Sequence, residues 1–164
     1  MDMDKFTDKA QEAIGTAQEI ALRKNHQQVD GEHLHMALLT QEEGLIPRLL
    51  SFMGINNELM IKDVQKELDK QPAVYGTAVQ NLYASRRLNE ILLNAADEAR
   101  KFKDEYVSVE HIYLALLKER NTTSADIFKR HGINRENFLA ALGKVRSNQR
   151  ITSKNPEETY EALA

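Results

Sequence analysis

Two carboxylate–histidine pairs, Glu32-His33 and Glu110-His111, are the side chains in this sequence best suited to chemistry. A histidine beside a carboxylate can serve as a general base or hold a metal ion. His26, His33 and His35 suggest a metal site, and a metal-dependent enzyme is one reading that stoichiometric zinc in the purified chain would support. Their spacing is not that of a His-Glu-x-x-His helix, however. Seventy-eight residues on, the equivalent positions read Asp104, His111 and Tyr113, so the set does not recur intact. Cysteine is absent, which excludes thiol catalysis and disulfides. No serine sits in a glycine elbow, and no Gly-x-x-x-x-Gly-Lys-Ser/Thr run offers a nucleotide cradle. A structural reading of the pairs is simpler. Each falls in the first turn of a helix, where a glutamate suits the helix dipole and a histidine can bond its own helix start. The glutamates also admit a sharper use, as receivers of an arginine or a modified arginine.

The elements that position these pairs come in two copies. Gln28–Leu39 and Tyr106–Leu117 are versions of one motif, and positions 21–58 match 99–136 without a gap at 11 of 38 places. Chance gives roughly two, so the chain holds a duplicated unit. Thr7 caps a first long helix with Ala10, Ala13, Ile14, Ala17, Ile20 and Ala21 at the three-and-four spacing of a buried face. Asp30 caps a short helix to about Thr40, turned inward by Leu34, Ala37 and Leu38. Gly44 opens a third helix and Gly54 closes it in the left-handed position glycine favours. Asn56 or Asn57 caps a fourth, burying Leu59, Met60, Val64 and Leu68. A connector from Lys70 to Tyr83 follows. The second copy reads alike, with caps at Ser85, at Ser108, at Thr123 or Ser124, and at Asn134. Leu92 and Leu93 cannot face one core together, so one member of the Ile91-Leu92-Leu93 trio lies near the surface, filling a seam or lining an apolar groove. The expected fold class is all-α, two pseudo-two-fold-related four-helix repeats. The expected domain spans 1–146, with repeat one at about 4–70 and repeat two at about 82–146. Residues 147–164 are expected to form a flexible linker and the start of a next module, with Asn155 and Pro156 as its first helix start.

The chain has 164 residues, a net charge of −3 and 29% charged residues. That balance disfavours duplex nucleic acid as a partner. No run of 18 apolar residues exists to span a membrane, and the acidic start Met1-Asp2-Met3-Asp4 is no signal peptide, so a cytoplasmic location is expected.

The ordered set of an alanine-spaced helix, a turn and Val-x-x-Glu-His-[Leu/Ile], met twice, resembles the Clp N-terminal repeat domain that precedes the ATPase modules of Clp/Hsp100 unfoldases. Lys103–His111, the connector Gln71–Gly76 and the tail Arg146–Leu163 are similar to the disaggregase branch of that family. The resemblance covers nearly the whole chain. It implies a non-catalytic module that captures unfolded or aggregated polypeptide in an apolar groove and hands it to an ATPase ring. It implies ATP and magnesium only in the ATPase modules, which this chain lacks. A DnaK-type chaperone system, a hexameric full-length protein and a monomeric isolated domain are implied as well. The substrate-binding positions that the resemblance carries over are Thr7, Asp104, Glu110 and the apolar Leu92, whose companion two residues on is polar Asn94. Adaptor docking or phosphoarginine reception by Glu32 and Glu110, as in ClpC- or ClpA-type unfoldases, is the alternative. Here Asp-Gly-Glu-His and Ser-Val-Glu-His replace the Gly-Thr-Glu-His pattern of that group.

Overall fold

Every helix start lies 78 residues from its counterpart. The computed structural model describes residues 2–76, 82–146 and 150–157, and the expected linker positions 147–149 and 158–164 and connector positions 77–81 lie outside them. Among the described residues there are eight α-helices. They are α1 (Asp8–Arg23), α2 (Gly31–Thr40), α3 (Leu45–Phe52), α4 (Asn57–Asp69), α5 (Arg86–Lys101), α6 (Val109–Lys118), α7 (Thr123–Arg130) and α8 (Arg135–Arg146). The residues preceding them pair as Thr7 with Ser85, Asp30 with Ser108, Gly44 with Thr122 and Asn56 with Asn134. Left-handed backbone recurs at the same interval, at Asn25 and Lys103, Glu43 and Asn121, and Gly54 and Gly132. The last pair closes α3 and α7 at a backbone angle that glycine adopts without a Cβ penalty. The chain is therefore all-α and duplicated, as its sequence implies.

The two motif helices form the centre. Gly31–Leu39 of α2 and Val109–Leu116 of α6 are buried on every side, so the single inward face expected of each was too narrow. A helix apolar all round belongs in a core rather than at its edge. Small Ala10, Ala13, Ala17 and Ala21 let α1 lie close against α2. Each fully buried leucine, such as Leu34, Leu38 or Leu116, adds about 2 kcal/mol relative to exposure. The counterparts His35 and Tyr113 meet near the pseudo-axis, imidazole Nε2 to phenol oxygen at 2.9 Å, with Phe128 against both rings and Phe138 against Tyr113.

Two local expectations are corrected. The cap of α7 is Thr122, whose hydroxyl accepts the Ala125 N–H, while Thr123 gives its hydroxyl to Glu32 across the repeat seam and Ser124 accepts from Arg87 of its own repeat. Leu59 is 50% exposed, since Met60, Val64 and Leu68, four apart, define the buried stripe and leave it to one side. Short extended pairs also join the repeats. Gln28–Val29 (β1) runs parallel to Tyr83–Ala84 (β2), and Phe6 bridges Val107. Val29 with Ala84 and Val107 with Phe6 are the same pair under the 78-residue shift, so each copy's long helix is entered beside the other copy's motif helix. Within the trio on α5, Leu93 is the exposed member, and Leu92 is buried.

Candidate functional site

The two extended crossings place a hydroxyl from one copy at the helix start of the other. In the first crossing the Ser85 hydroxyl accepts the Leu88 N–H and donates to Asp30 at 2.7 Å. The same Asp30 oxygen accepts the Gly31 N–H at 2.8 Å. Arg87 then closes the site. Its guanidinium pairs with Glu32, donates twice to Glu119 at 2.8 Å and reaches the Ser124 hydroxyl at 3.0 Å. Thr123 donates to the other Glu32 oxygen. A Cβ at position 31 would stand 2.8 Å from the Arg87 guanidinium carbon, so a side chain there would push the guanidinium off this arrangement. Burial works to lower the Arg87 pKa, but Glu119, Glu32 and Asp30 outweigh it, and the guanidinium is held firmly charged.

At the second crossing the same positions carry different residues. Ser108 stands where Asp30 stands, Val109 replaces Gly31, and Lys9 replaces Arg87. Lys9 turns away to the Glu42 carbonyl. The carboxyl is supplied instead by Glu157. It accepts from the Thr7 hydroxyl at 2.7 Å and from the Val109 N–H at 3.3 Å, as Asp30 accepts from Ser85 and Gly31. Burial, and then the neighbouring Glu110 charge, push the Glu157 pKa up to about 7 against those bonds.

Asp104 anchors this site. Its side chain is fully enclosed and accepts from His111 Nε2–H at 2.8 Å, from Arg146 at 2.8 Å and from the Ile151 N–H at 2.9 Å. Burial acts to raise its pKa, but the bonds from His111, Arg146 and Ile151 overcome that and bring it down to about 2. Arg146 also lies 3.7 Å from Glu110 and stacks over Phe102. Thr7, Asp104 and Glu110 are thus drawn into one network through Arg146, Glu157 and the Ile151 amide. Leu92 stays with the hydrophobic core on α5, next to Ile91 and Ala95. A separate small apolar cleft of about 70 Å³ between the repeats is lined by Ile14, Ala17, Val29, Leu82 and Leu88 among others.

The described tail runs across this network. The Glu105 N–H donates to the Ile151 carbonyl at 2.8 Å and the Asp8 N–H to the Lys154 carbonyl at 2.9 Å. Arg48 donates to the Glu157 carbonyl at 3.0 Å. The Ile151 side chain is fully buried and Pro156 is buried too. Sequence reasoning did not single out Arg87, Arg146, Ile151 or Glu157. The signal for the last lay in the one-residue difference between copies, Asp30 against Ser108, which leaves a carboxyl-shaped gap.

The histidines are held structurally. His33 and His111 each use Nδ1 to accept the N–H of their own N-cap residue, Asp30 and Ser108, at 2.9 Å. That fixes the proton on Nε2, which His111 gives to Asp104 and His33 to His26. Both ring nitrogens are therefore committed. Burial pulls the His33 pKa down to about 4 and that of His35 to about 3. Among the described residues no group of three His, Asp or Glu converges to hold a metal ion, and no helix is long and apolar enough to cross a membrane.

A family model described as the Clp repeat (R) N-terminal domain matches residues 5–131. The chain is 50% identical over 99% of its length to a chaperone protein ClpB of Nitratidesulfovibrio vulgaris, and 44% identical over 99% to one of Clostridium tetani. It spans about a fifth of those relatives, 19% of each. The crystal structure of the Hsp104 N-terminal domain from Candida albicans superposes with a TM-score of 0.79 at 26% identity, covering 92% of this chain and 97% of that one.

Proposed function

This chain belongs to the Clp repeat N-terminal domain family, and from that premise we propose that it captures unfolded or aggregated polypeptide for an ATP-dependent disaggregase. It does so at the second crossing, around Thr7, Asp104 and Glu110, and hands the chain to an ATPase ring outside this segment. One observation carries the reading. The amides of Asp8 and Glu105, the Asp104 carboxylate and Arg48 engage backbone groups of segment 151–157, while Thr7 and the Val109 amide take the Glu157 carboxyl. Recognition that is mostly main-chain tolerates varied sequences, which suits a receptor for misfolded proteins. Weak, sequence-tolerant contacts also permit release to a pore. The domain acts without covalent chemistry, consistent with histidines whose ring nitrogens are both committed. ATP and magnesium, a DnaK-type partner, hexamerisation and a cytoplasmic setting belong to the full-length protein in this reading.

Reception of phosphoarginine by Glu32 and Glu110 is the competing reading. Arg87 weighs against it, because this chain's own guanidinium already pairs with Glu32, and Arg146 stands by Glu110. Calorimetry with free phosphoarginine is expected to show no tight two-site binding. The capture reading is tested by adding a permanently unfolded polypeptide while following backbone amide shifts. Saturable changes at Asp8, Glu105 and Val109 are expected, and unchanged amides there would remove the site.

A further inference from the structure

Segment 150–157 gives the second copy what the first copy carries in its own sequence. Asp30 is built into the first crossing and Arg87 fills the space beside it. The second crossing has short Ser108 and an averted Lys9, and a carboxyl arrives from 48 residues away. Between Ile151 and Glu157 the groove holds the segment mainly by backbone atoms. The Glu105 and Asp8 amides donate to its carbonyls, and the Asp104 carboxylate accepts its Ile151 amide. Two side chains are selected, the fully buried Ile151 and the Glu157 carboxyl six positions later. We propose that this groove binds peptide segments with an apolar residue six positions before an acidic one, and that residues 150–157 are its resident occupant, which an outside peptide must displace.

The occupant fits imperfectly, which keeps it displaceable. Its carboxyl is buried near Glu110, and the Glu157 Oε1 atom has no hydrogen-bond partner. A buried acceptor left unsatisfied, close to a like charge, lowers the hold on the segment. The inference rests on the capture reading only for the identity of the outside peptide, a stretch of unfolded protein.

The test compares the unaltered 164-residue chain with its Ile151→Ser, Glu157→Ala double variant. The probe is a blocked octapeptide with the sequence of residues 150–157, titrated while backbone amides are followed by NMR. On the variant, the peptide is expected to shift Asp8, Glu105 and Val109 saturably, and the unaltered chain should need at least tenfold more peptide. A peptide with serine and alanine at the two selected positions should leave those amides in place. Equal binding to both chains, or equal binding of both peptides, overturns the proposal. If the variant loses its fold, hydrogen exchange on the unaltered chain decides. Slow exchange at Asp8 and Glu105 is expected, and exchange at the unprotected rate overturns it. A permanently unfolded polypeptide added to both chains separates the two readings. Its failure to bind either chain, with the octapeptide binding the variant, removes capture but keeps the groove. Equal binding to both chains at these amides keeps capture and removes the resident occupant.

Discussion

Replacing Asp104 with asparagine should unlock the second crossing in a way that acid can reproduce. The carboxylate has three donors, His111, Arg146 and the Ile151 amide, and no exposed edge. Its pKa of about 2, against an ordinary 3.8, is a shift of nearly two units, or about 2 kcal/mol favouring the folded state. Asparagine keeps the shape but turns an amide N–H toward groups that themselves donate, which costs about 1 kcal/mol more. The expected loss is about 3 kcal/mol, a fall in melting temperature of roughly 6–12 °C for a chain of this size. The sign of the pH dependence follows from the lowered pKa. The charge contributes fully above about pH 4, and the contribution disappears as pH falls through about 2. Urea midpoints of both chains, taken at pH 7 and then downward from pH 5, should therefore converge by about 2 kcal/mol in acid. A gap absent at pH 7, or one of the same size at pH 2, would refute the argument that a buried, triply bonded charge is what Asp104 provides.

Other outcomes follow from neighbouring groups. Burial and the Glu110 charge raise the Glu157 pKa to about 7 in the docked segment, so docking is strongest below about pH 4.5 and weakens as pH rises through about 7. Exchange protection at the Asp8 and Glu105 amides should fall between pH 5 and 8, and protection that rises instead would contradict this. Arg87→Ala should cost roughly 3–5 kcal/mol by leaving Glu32 and Glu119 without their guanidinium, whereas Arg87→Met should cost less than that despite losing the ion pairs. Equal urea midpoints for the unaltered chain and Arg87→Ala would show that the seam does not depend on the pair. His33 and His35, held neutral by burial, stabilise the fold above about pH 6.5, and each loses roughly 3–5 kcal/mol as pH falls through its lowered pKa. Stability that stays flat from pH 7 to 4.5 would count against that assignment.

Local signals made most of the fold legible. Thr7, Asp30, Ser85 and Ser108 each announce a helix by a side chain that can accept its first free amides, and the structure uses each of them so. Gly54 and Gly132 mark two ends. The cap of α7 was missed because Thr122, Thr123 and Ser124 are equally able caps in sequence. Only the seam, where Glu32 and Arg87 claim the latter two, separates them. The shift from Gly44 would have pointed to Thr122. The site was less legible because its links are long in sequence and short in space. Thr7 meets Glu157, and Asp104 meets Arg146 and Ile151, through a topology that no periodicity encodes. Histidines drew notice by type, yet they turned out to hold helix starts, and the carboxylates beside and before them form the network.

A nitroxide-tagged, permanently unfolded polypeptide added to the 15N-labelled chain tests the central claim most directly. Paramagnetic broadening should appear first at Asp8, Glu105 and Val109, around the second crossing, and should weaken with distance from Thr7 and Asp104. Broadening centred instead on the exposed Leu93, or on the cleft of Ile14, Leu82 and Leu88, would place capture elsewhere on the domain and contradict the account.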